Sequence, residues 1–211
     1  MQPKERYFEN AAATVIKNLK KRQMEGYYCP TRQEAVAKAL SLMEAGAAVA
    51  WGGSMTIKET GLMDALHKGP YQLIDRELPK TPEEQRALYA QVIGCDTFFM
   101  GTNAITLDGE LVNIDNRGNR VAFLCFGPRQ VIILAGMNKL APDRESALQR
   151  AHNMATPPNA LRLDRKTPCA VSGRCSDCLV PDTLCSQIVI TRRSSIPGRI
   201  KVILIGEELG Y

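Results

Sequence analysis

Short apolar segments alternate with amphipathic helical segments along most of this chain, and this alternation restricts the fold more than any other feature. The predicted strands are residues 47–51, 71–75, 97–100 and 131–135. The predicted helices are residues 7–24, 31–45, 57–67, 81–94 and 143–154. Strands that alternate with helices need crossover connections, so the sequence predicts an α/β fold with a mostly parallel sheet flanked by helices.

Two further segments predict antiparallel strands. Residues 104–107 and 110–114 are separated by Asp108-Gly109, a pair that favours a two-residue type I′ turn because both central residues need positive φ. Residues 187–192 and 199–205 are rich in β-forming side chains and predict a second antiparallel pair. Residues 1–211 are predicted to form a single domain, whose regular alternation breaks near Thr156.

The composition restricts where this chain works and what it binds. No apolar run approaches the ~20 residues that cross a bilayer, and the N-terminal segment lacks the apolar region of a secretory signal. We therefore expect a cytoplasmic protein without a membrane segment. The formal net charge of +5 is spread along the chain, and its densest clusters, at residues 20–22 and 192–193, are typical of solvated faces. We expect no nucleic-acid partner, and the mild positive charge fits a small anionic ligand.

A glycine-containing loop is the first candidate site. Gly52, Gly53, Ser54 and Thr56 lie between a predicted strand and a predicted helix. Glycines there let the backbone approach a ligand, and the two hydroxyl groups and the helix N-terminus favour an anion. The alternative is a tight turn before a capped helix. Glu59 carries the same two interpretations, as a catalytic base or nucleophile or as the third residue of a helix capped by Thr56.

Polar side chains around the hairpin form the second candidate site. Thr102 and Asn103 follow a predicted strand, where ligands of open sheets bind. Asp115, Asn119 and Arg120 lie beyond the hairpin in a run of carboxylate, amide and guanidinium groups. We assign Asp115 as a candidate base, Asn119 as a ligand-binding amide and Arg120 as a candidate anion clamp. The alternative is a polar turn that leads into a helix capped at Asn119.

Residues 165–186 form a cysteine-rich segment. The chain has seven cysteines and no export signal, so a disulfide framework is not expected. Four of them follow the spacing Cys-x5-Cys-x2-Cys-x6-Cys, at Cys169, Cys175, Cys178 and Cys185. Four thiolates suit a tetrahedral metal site, so zinc and an iron–sulfur cluster are both candidate cofactors.

Other interpretations of this segment stay open. In one alternative, all four thiols are free. In the others, Cys175 and Cys178 form a redox dithiol, or disulfides form on exposure to air. His67 and His152 stand apart in the sequence and are expected to be structural or surface residues.

The order of these motifs resembles that of the lactate-utilisation (LUD) domain family. The blocks that carry the resemblance, over residues 7–211, are GGSMT at 52–56, ETG at 59–61, GTNAITLDG at 101–109, NID at 113–115, GNRVA at 118–122, FGP at 126–128 and GMNK at 136–139. The resemblance implies a Rossmann-like fold similar to ribose-5-phosphate isomerase, glucosamine-6-phosphate deaminase and the CoA transferases. It also implies a connection with the oxidation of L-lactate to pyruvate and with iron–sulfur partner proteins. In the related sugar-phosphate enzymes the corresponding loop holds a phosphate, which favours an anion at Gly53, Ser54 and Thr56.

The cysteine segment departs from the pattern of the lactate-utilisation subunits, so two functions stay open. In the first, the chain takes part in lactate or related organic-acid metabolism and binds a small anionic metabolite at the loop formed by residues 52–56. In the second, it is a non-catalytic electron-transfer or structural subunit with a four-cysteine metal site. The sequence leaves the oligomeric state open.

Overall fold

The computed structural model describes residues 2–211, so Met1 of the predicted domain lies outside the described residues. The helices are α1 (Pro3–Lys21), α2 (Arg32–Ser41), α3 (Met55–Thr60), α4 (Leu62–Lys68), α5 (Pro82–Ile93), α6 (Asn119–Cys125), α7 (Arg144–Arg150), α8 (Thr156–Arg162) and α9 (Pro168–Ser172). The strands are β1 (Glu25–Cys29), β2 (Ala48–Trp51), β3 (Gln72–Ile74), β4 (Thr97–Gly101), β5 (Ala104–Thr106), β6 (Leu111–Asp115), β7 (Gln130–Gly136), β8 (Leu140–Ala141), β9 (Gln187–Thr191) and β10 (Ile200–Ile205).

The larger sheet confirms the predicted parallel α/β architecture. Its strand order is β1-β10-β7-β4-β2-β3, and every neighbouring pair is parallel. Strand β7 lies inside this sheet, and its alternate side chains reach two separate apolar layers. Val131 and Ile133 pack in the layer that contains α1, α5 and α6, whereas Ile132 and Leu134 pack in the layer that contains α2, α3 and α4. An unbroken apolar strand is what burial on both faces requires.

The smaller sheet has the order β8-β5-β6-β9 and contains the predicted hairpin. Strands β5 and β6 are antiparallel, with Ala104 opposite Val112. The predicted type I′ turn is wrong, because Gly109 has a φ of 81° but Asp108 is not among the described residues with positive φ. The backbone N–H of Thr106 donates to the carbonyl of Glu110 at 2.9 Å, which leaves a three-residue loop between them. Such a loop needs a left-handed residue at its last position only.

The predicted antiparallel pairing of residues 187–192 with 199–205 is wrong. Strand β9 pairs with β6 in the smaller sheet, whereas β10 lies between β1 and β7 in the larger one. Arg199, the residue before β10, fixes the position of that strand. Its buried guanidinium donates to the carbonyl oxygens of Phe123, Leu124 and Pro128 at 3.0, 2.7 and 3.0 Å. These contacts hold the start of β10 beneath α6, so it cannot fold back along β9.

Three smaller differences concern element boundaries. Strand β1 was not predicted. The predicted helix at residues 57–67 divides into α3 and α4 at Gly61, which has a φ of 76°. Beyond Thr156, where the predicted alternation breaks, the chain forms α8 and α9, and a π-helical turn, Ala151–Ala155, joins α7 to α8.

The parallel sheet determines where polar side chains meet. The segments that follow β2, β4 and β7 leave the sheet at the same edge, the carboxyl ends of the strands. This is the edge where open α/β sheets bind ligands.

Candidate functional site

The two predicted candidate sites lie side by side at this edge. A Cβ atom added to Gly101 would lie 2.5 Å from Oγ of Ser54, and one added to Gly52 would lie 3.0 Å from Cγ of Arg120. Glycine at these two positions therefore permits a close approach of the loop after β2 to the end of β4 and to Arg120 of α6. Gly53 is exposed, and a Cβ there would lie 3.0 Å from Nη1 of Arg76.

Arg120 is the centre of a dense hydrogen-bond network. Its Nη1 donates to the carbonyl of Gly101 at 3.0 Å and to Oδ1 of Asn113 at 2.6 Å. Its Nη2 donates to Oδ1 of Asn103 at 3.1 Å and to the carbonyl of Ile114 at 2.8 Å. These four bonds bind β4 to β6.

The fifth N–H group of Arg120 points to a carboxylate. Its Nε lies 3.2 Å from Oδ2 of Asp115, and Oδ1 of Asp115 accepts the backbone N–H of Gly118 at 3.1 Å. Burial lowers the pKa of Arg120, and the charge of Asp115 opposes that shift. All five guanidinium donors thus have protein acceptors, and both Asp115 oxygens are engaged. This geometry makes the pair an internal brace and leaves Arg120 no donor for a ligand.

The other predicted residues of the hairpin also have protein partners. The hydroxyl of the buried Thr102 reaches the carbonyl oxygens of Ala104 and Val112 at 2.9 and 3.2 Å. Oδ1 of Asn103 also accepts the backbone N–H of Ile114 at 2.9 Å. Asn119 is the first residue of α6. The side chains of Thr102 and Asn103 thus shape the edge of the sheet rather than project from it.

The helix after the glycine loop begins two residues earlier than expected. Ser54, not Thr56, is its N-cap, and its Oγ accepts the backbone N–H of Ile57 at 3.4 Å. Thr56 is fully buried inside α3. Glu59 is exposed, and its Oε2 accepts the backbone N–H of Gly210 at 2.8 Å. The predicted Thr56–Glu59 capping box is therefore wrong, and Glu59 holds the C-terminal segment instead.

Lys139 is a buried cation that the sequence reasoning did not assign. Its side chain lies just after β7 and is 4% exposed, and its Nζ donates to Oγ1 of Thr56 at 2.8 Å. Within residues 2–211 this is the one hydrogen bond recorded for its three N–H donors. Burial lowers the pKa of Lys139 to about 7, with smaller effects from the charges of Arg150 and Arg120, while Glu59 acts in the opposite direction.

Arg150 is a third cation near Arg120 and Lys139, and it is buried. Its Nε donates to the carbonyl of Asn138 at 2.8 Å and its Nη1 to the carbonyl of Asn103 at 2.6 Å. Burial lowers the pKa of Arg150 to about 10. Arg150 also lines an open depression of about 460 Å³ beside α7, together with Gln149 and Asn153. Arg120, Lys139 and Arg150 are hereafter the cation cluster.

A buried amide near the cluster has an unused donor. Oδ1 of Asn113 accepts a hydrogen bond from Arg120, but its Nδ2 has no partner within the described chain. Asn113 is fully buried. An unpaired buried N–H is costly, so this atom has a physical reason to bind a ligand or a water molecule.

The C-terminal segment, residues 207–211, closes over this edge. The backbone N–H of Leu209 donates to Oδ1 of Asn138 at 3.1 Å, and its carbonyl accepts from Oγ1 of Thr56 at 3.2 Å. The carbonyl of Gly210 accepts from Nδ2 of Asn138 at 3.1 Å. A ligand that approaches Lys139 from this side must therefore displace the segment.

The sequence contained one signal for these missed residues. The GMNK block at 136–139 follows a predicted strand, which places Asn138 and Lys139 at the ligand-binding edge. Arg150 gave no such signal, because its contacts with Asn103 and Asn138 depend on how α7 packs.

The four cysteines of residues 165–186 lie in one region but not around a single ion. Cys169 Sγ lies 3.2 Å from Oγ1 of Thr167, Cys175 Sγ lies 3.5 Å from Nδ1 of His152, and Cys185 Sγ lies 3.9 Å from Oγ1 of Thr156. Within residues 2–211, no three Cys, His, Asp or Glu side chains are grouped to hold one metal ion. The structure therefore does not support the predicted single-ion site, since three of these thiols contact their own polar neighbours.

Burial raises the pKa of Cys185, and the other three thiols of the segment, as thiolates, raise it further. All four are free thiols in the described chain. The other three thiols thus lie close enough to Cys185 to act on it electrostatically.

Comparison with known proteins shows which family has this arrangement. The family model of the LUD domain matches residues 12–205. The chain belongs to the LUD domain family. A search of curated proteins returned no match. No helix in the part of the chain that the structure describes has the length and apolar character needed to cross a membrane.

One solved structure shares the fold of this LUD domain over nearly its whole length. A DUF162 family protein from Deinococcus radiodurans is 12% identical, with a TM-score of 0.53, and the match covers 94% of this chain and 98% of that one. Ribose 5-phosphate isomerase from Plasmodium falciparum is 20% identical, with a TM-score of 0.34, and the match covers 53% and 52%. The eIF2B beta subunit from Chaetomium thermophilum is 16% identical, with a TM-score of 0.37, and the match covers 55% and 44%. At 12% identity, the similarity to the DUF162 family protein shows the fold alone.

Proposed function

We propose that this LUD domain binds a small anionic metabolite, a carboxylate or phosphate, at the cation cluster. The observation that carries the proposal is that Lys139 is 4% exposed, with a single hydrogen bond recorded in the described chain and two arginines acting on it. A buried cation is costly unless an anion or hydrogen bonds compensate it. The carboxylate that acts on Lys139 is Glu59, which is exposed and engaged with Gly210.

The unused donors define which groups would contact the anion. Lys139 retains two N–H donors, and Arg150 donates in the described chain through Nε and Nη1 only, which leaves its Nη2 for a ligand. The unpaired Nδ2 of Asn113 adds a neutral donor. A planar carboxylate or a phosphate accepts from several donors at once, as this set requires. We infer that Arg120 supports the site by bracing β4 to β6.

The family narrows the class of ligand. LUD proteins are connected with lactate utilisation, so we propose a small organic acid such as lactate or pyruvate before a sugar phosphate. Binding is the first part of this proposal. Its second part, a role in L-lactate oxidation with iron–sulfur partner proteins, rests on the family resemblance.

Titration calorimetry of the full chain tests the proposal. The affinities of lactate, pyruvate and ribose 5-phosphate are measured for three proteins: the parent, Lys139→Met and a matched control, Lys58→Met. Lys58 is an exposed lysine on α3. We expect one of these anions to bind the parent and the control equally. Lys139→Met should weaken binding at least about 10-fold, the scale of a lost charge-assisted hydrogen bond.

Proton uptake gives a second and independent readout. An anion beside Lys139 stabilises its ammonium form and raises its pKa from about 7. Above neutral pH, binding should therefore take up a proton, so the measured heat should depend on the ionisation enthalpy of the buffer. This dependence should disappear in Lys139→Met. No binding of any of the three anions, or equal affinity for the parent and Lys139→Met, would overturn the proposal.

A further inference from the structure

We propose that Cys169, Cys175, Cys178 and Cys185 hold an iron–sulfur cluster. This site is separate from the proposed anion site and does not depend on it. The thiols belong to α9 and to the irregular segment, residues 173–186, that leads from α9 to β9.

One helical face brings three of these cysteines together. Cys175 contacts His152, Cys185 contacts Thr156, and Cys169 packs in an apolar group with Ala160 and Leu184. His152, Thr156 and Ala160 follow one another at intervals of four along the π-helical turn and α8. Residues four apart lie on one side of a helix, so the three thiols lie along one surface.

The Cys-x2-Cys turn brings in the fourth thiol. The backbone N–H of Asp177 donates to Sγ of Cys175 at 3.4 Å, and Asp177 has a φ of 50°. The N–H···S bond and the left-handed residue tighten the turn between Cys175 and Cys178. A pair at this spacing supplies two thiolates to one centre.

The polarity of the segment is the reverse of what an apolar core produces. Val171 and Leu179 are 91% and 93% exposed, whereas Cys169 is 6% exposed. Two large apolar side chains thus face solvent while the thiol of Cys169 faces inward. A loop with so little apolar burial needs another source of stability, and metal–thiolate bonds supply it in small metal-binding folds.

The arrangement fits a cluster better than a single ion. Thiolates that bind one tetrahedral zinc ion converge on a single point, whereas the four that bind a 4Fe–4S cluster each attach to a different iron and lie farther apart. The contacts of Cys175, Cys185 and Cys169 fall on successive turns of one helical face, at His152, Thr156 and Ala160, so these thiols are spread along a surface and do not surround a single point. His152, beside Cys175, is placed to donate a hydrogen bond to a cluster ligand.

Metal and sulfide analysis of the full chain tests the proposal. The parent protein is purified without oxygen and also reconstituted with ferrous iron and sulfide. We expect on the order of four iron and four sulfide per chain, with visible charge-transfer absorption and an electron paramagnetic resonance signal after reduction. One zinc per chain without iron, or neither iron nor zinc, would overturn the proposal.

Serine variants locate the site within the chain. Each of the four cysteines is changed to serine, and Cys29→Ser and Cys125→Ser serve as matched controls outside the segment. The four segment variants should lose at least half of the bound iron, whereas the controls should keep it. Circular dichroism identifies variants that do not fold, and the metal content of the parent decides the question if all four fail. Segment variants that fold and keep their full iron content would exclude these ligands.

Discussion

Lys139 should impose a pH dependence on the stability of this domain that one substitution removes. The folded protein lowers its pKa from 10.5 to about 7, mainly by burial. A shift of this size corresponds to about 5 kcal/mol of unfavourable free energy for keeping the ammonium charged in the folded state. The penalty is fully present below pH 7 and disappears as the pH approaches the unfolded value of 10.5.

The direction of the effect follows from proton counting. Between the two pKa values the unfolded chain holds a proton that the folded chain has released. The free energy of unfolding therefore rises with pH, by up to about 1.4 kcal/mol per unit from this group. Lys139→Met keeps the shape of the side chain and removes the titration. We expect this variant to be more stable than the parent near neutral pH, with an advantage that shrinks as the pH rises.

Urea unfolding of the parent and Lys139→Met at several pH values measures the effect. The difference in their free energies of unfolding should fall by about 2 to 3 kcal/mol between about pH 7.5 and about pH 9.5. Other shifted groups, such as Cys95 with its pKa raised to about 12, contribute equally to both proteins and cancel in the difference. Lys58→Met, on an exposed lysine, should give a difference that does not change with pH. A constant difference for Lys139→Met would refute the depressed pKa.

Two further substitutions test the brace and the closing segment. Gly210→Ala should lower the free energy of unfolding by about 1 to 3 kcal/mol, because Gly210 has a φ of 63° and a Cβ there would lie 2.6 Å from Oγ1 of Thr56. Gly94→Ala is the control, since the nearest neighbour of a Cβ at Gly94 is 3.8 Å away. Equal melting temperatures for the two variants would contradict this prediction. Arg120→Lys should lower the free energy of unfolding in urea by about 3 kcal/mol, since a lysine has three donors for five acceptors. Arg129→Lys, at an exposed arginine, should change this free energy by less than about 0.5 kcal/mol. A similarly small loss for Arg120→Lys would refute the bracing role of Arg120.

The fold was largely predictable because its signals are local. The alternation of strands and helices defined the parallel sheet, and Asp108-Gly109 located the hairpin. The pairing of β9 with β10 was predicted wrongly because closeness in sequence favours a hairpin. What prevents that hairpin is the guanidinium of Arg199, which binds carbonyl oxygens more than seventy positions earlier.

The candidate site was only partly predictable. The residues that pattern reasoning selected, Arg120 and Asp115, do lie at the carboxyl edge, but they bind each other. The unusual group is Lys139, and its lowered pKa results from burial together with Arg150 and Arg120, which lie in other segments. No local pattern reveals such a sum of distant effects, whereas a strand-end rule applied to residues 136–139 would have selected Lys139 for inspection.

The position of β10 has a consequence for how the protein is made. Strand β10 follows the other strands in sequence but lies inside the larger sheet, and β1 is hydrogen-bonded to β10 in that sheet. During synthesis, β1 therefore lacks its hydrogen-bonded neighbour β10 until residue 205 has left the ribosome. During synthesis β7 exposes an unpaired edge, which is a template for pairing with other chains. We therefore expect the yield of folded protein to depend on chaperones that cover this edge. That dependence should be stronger than the stability of the folded domain alone would indicate.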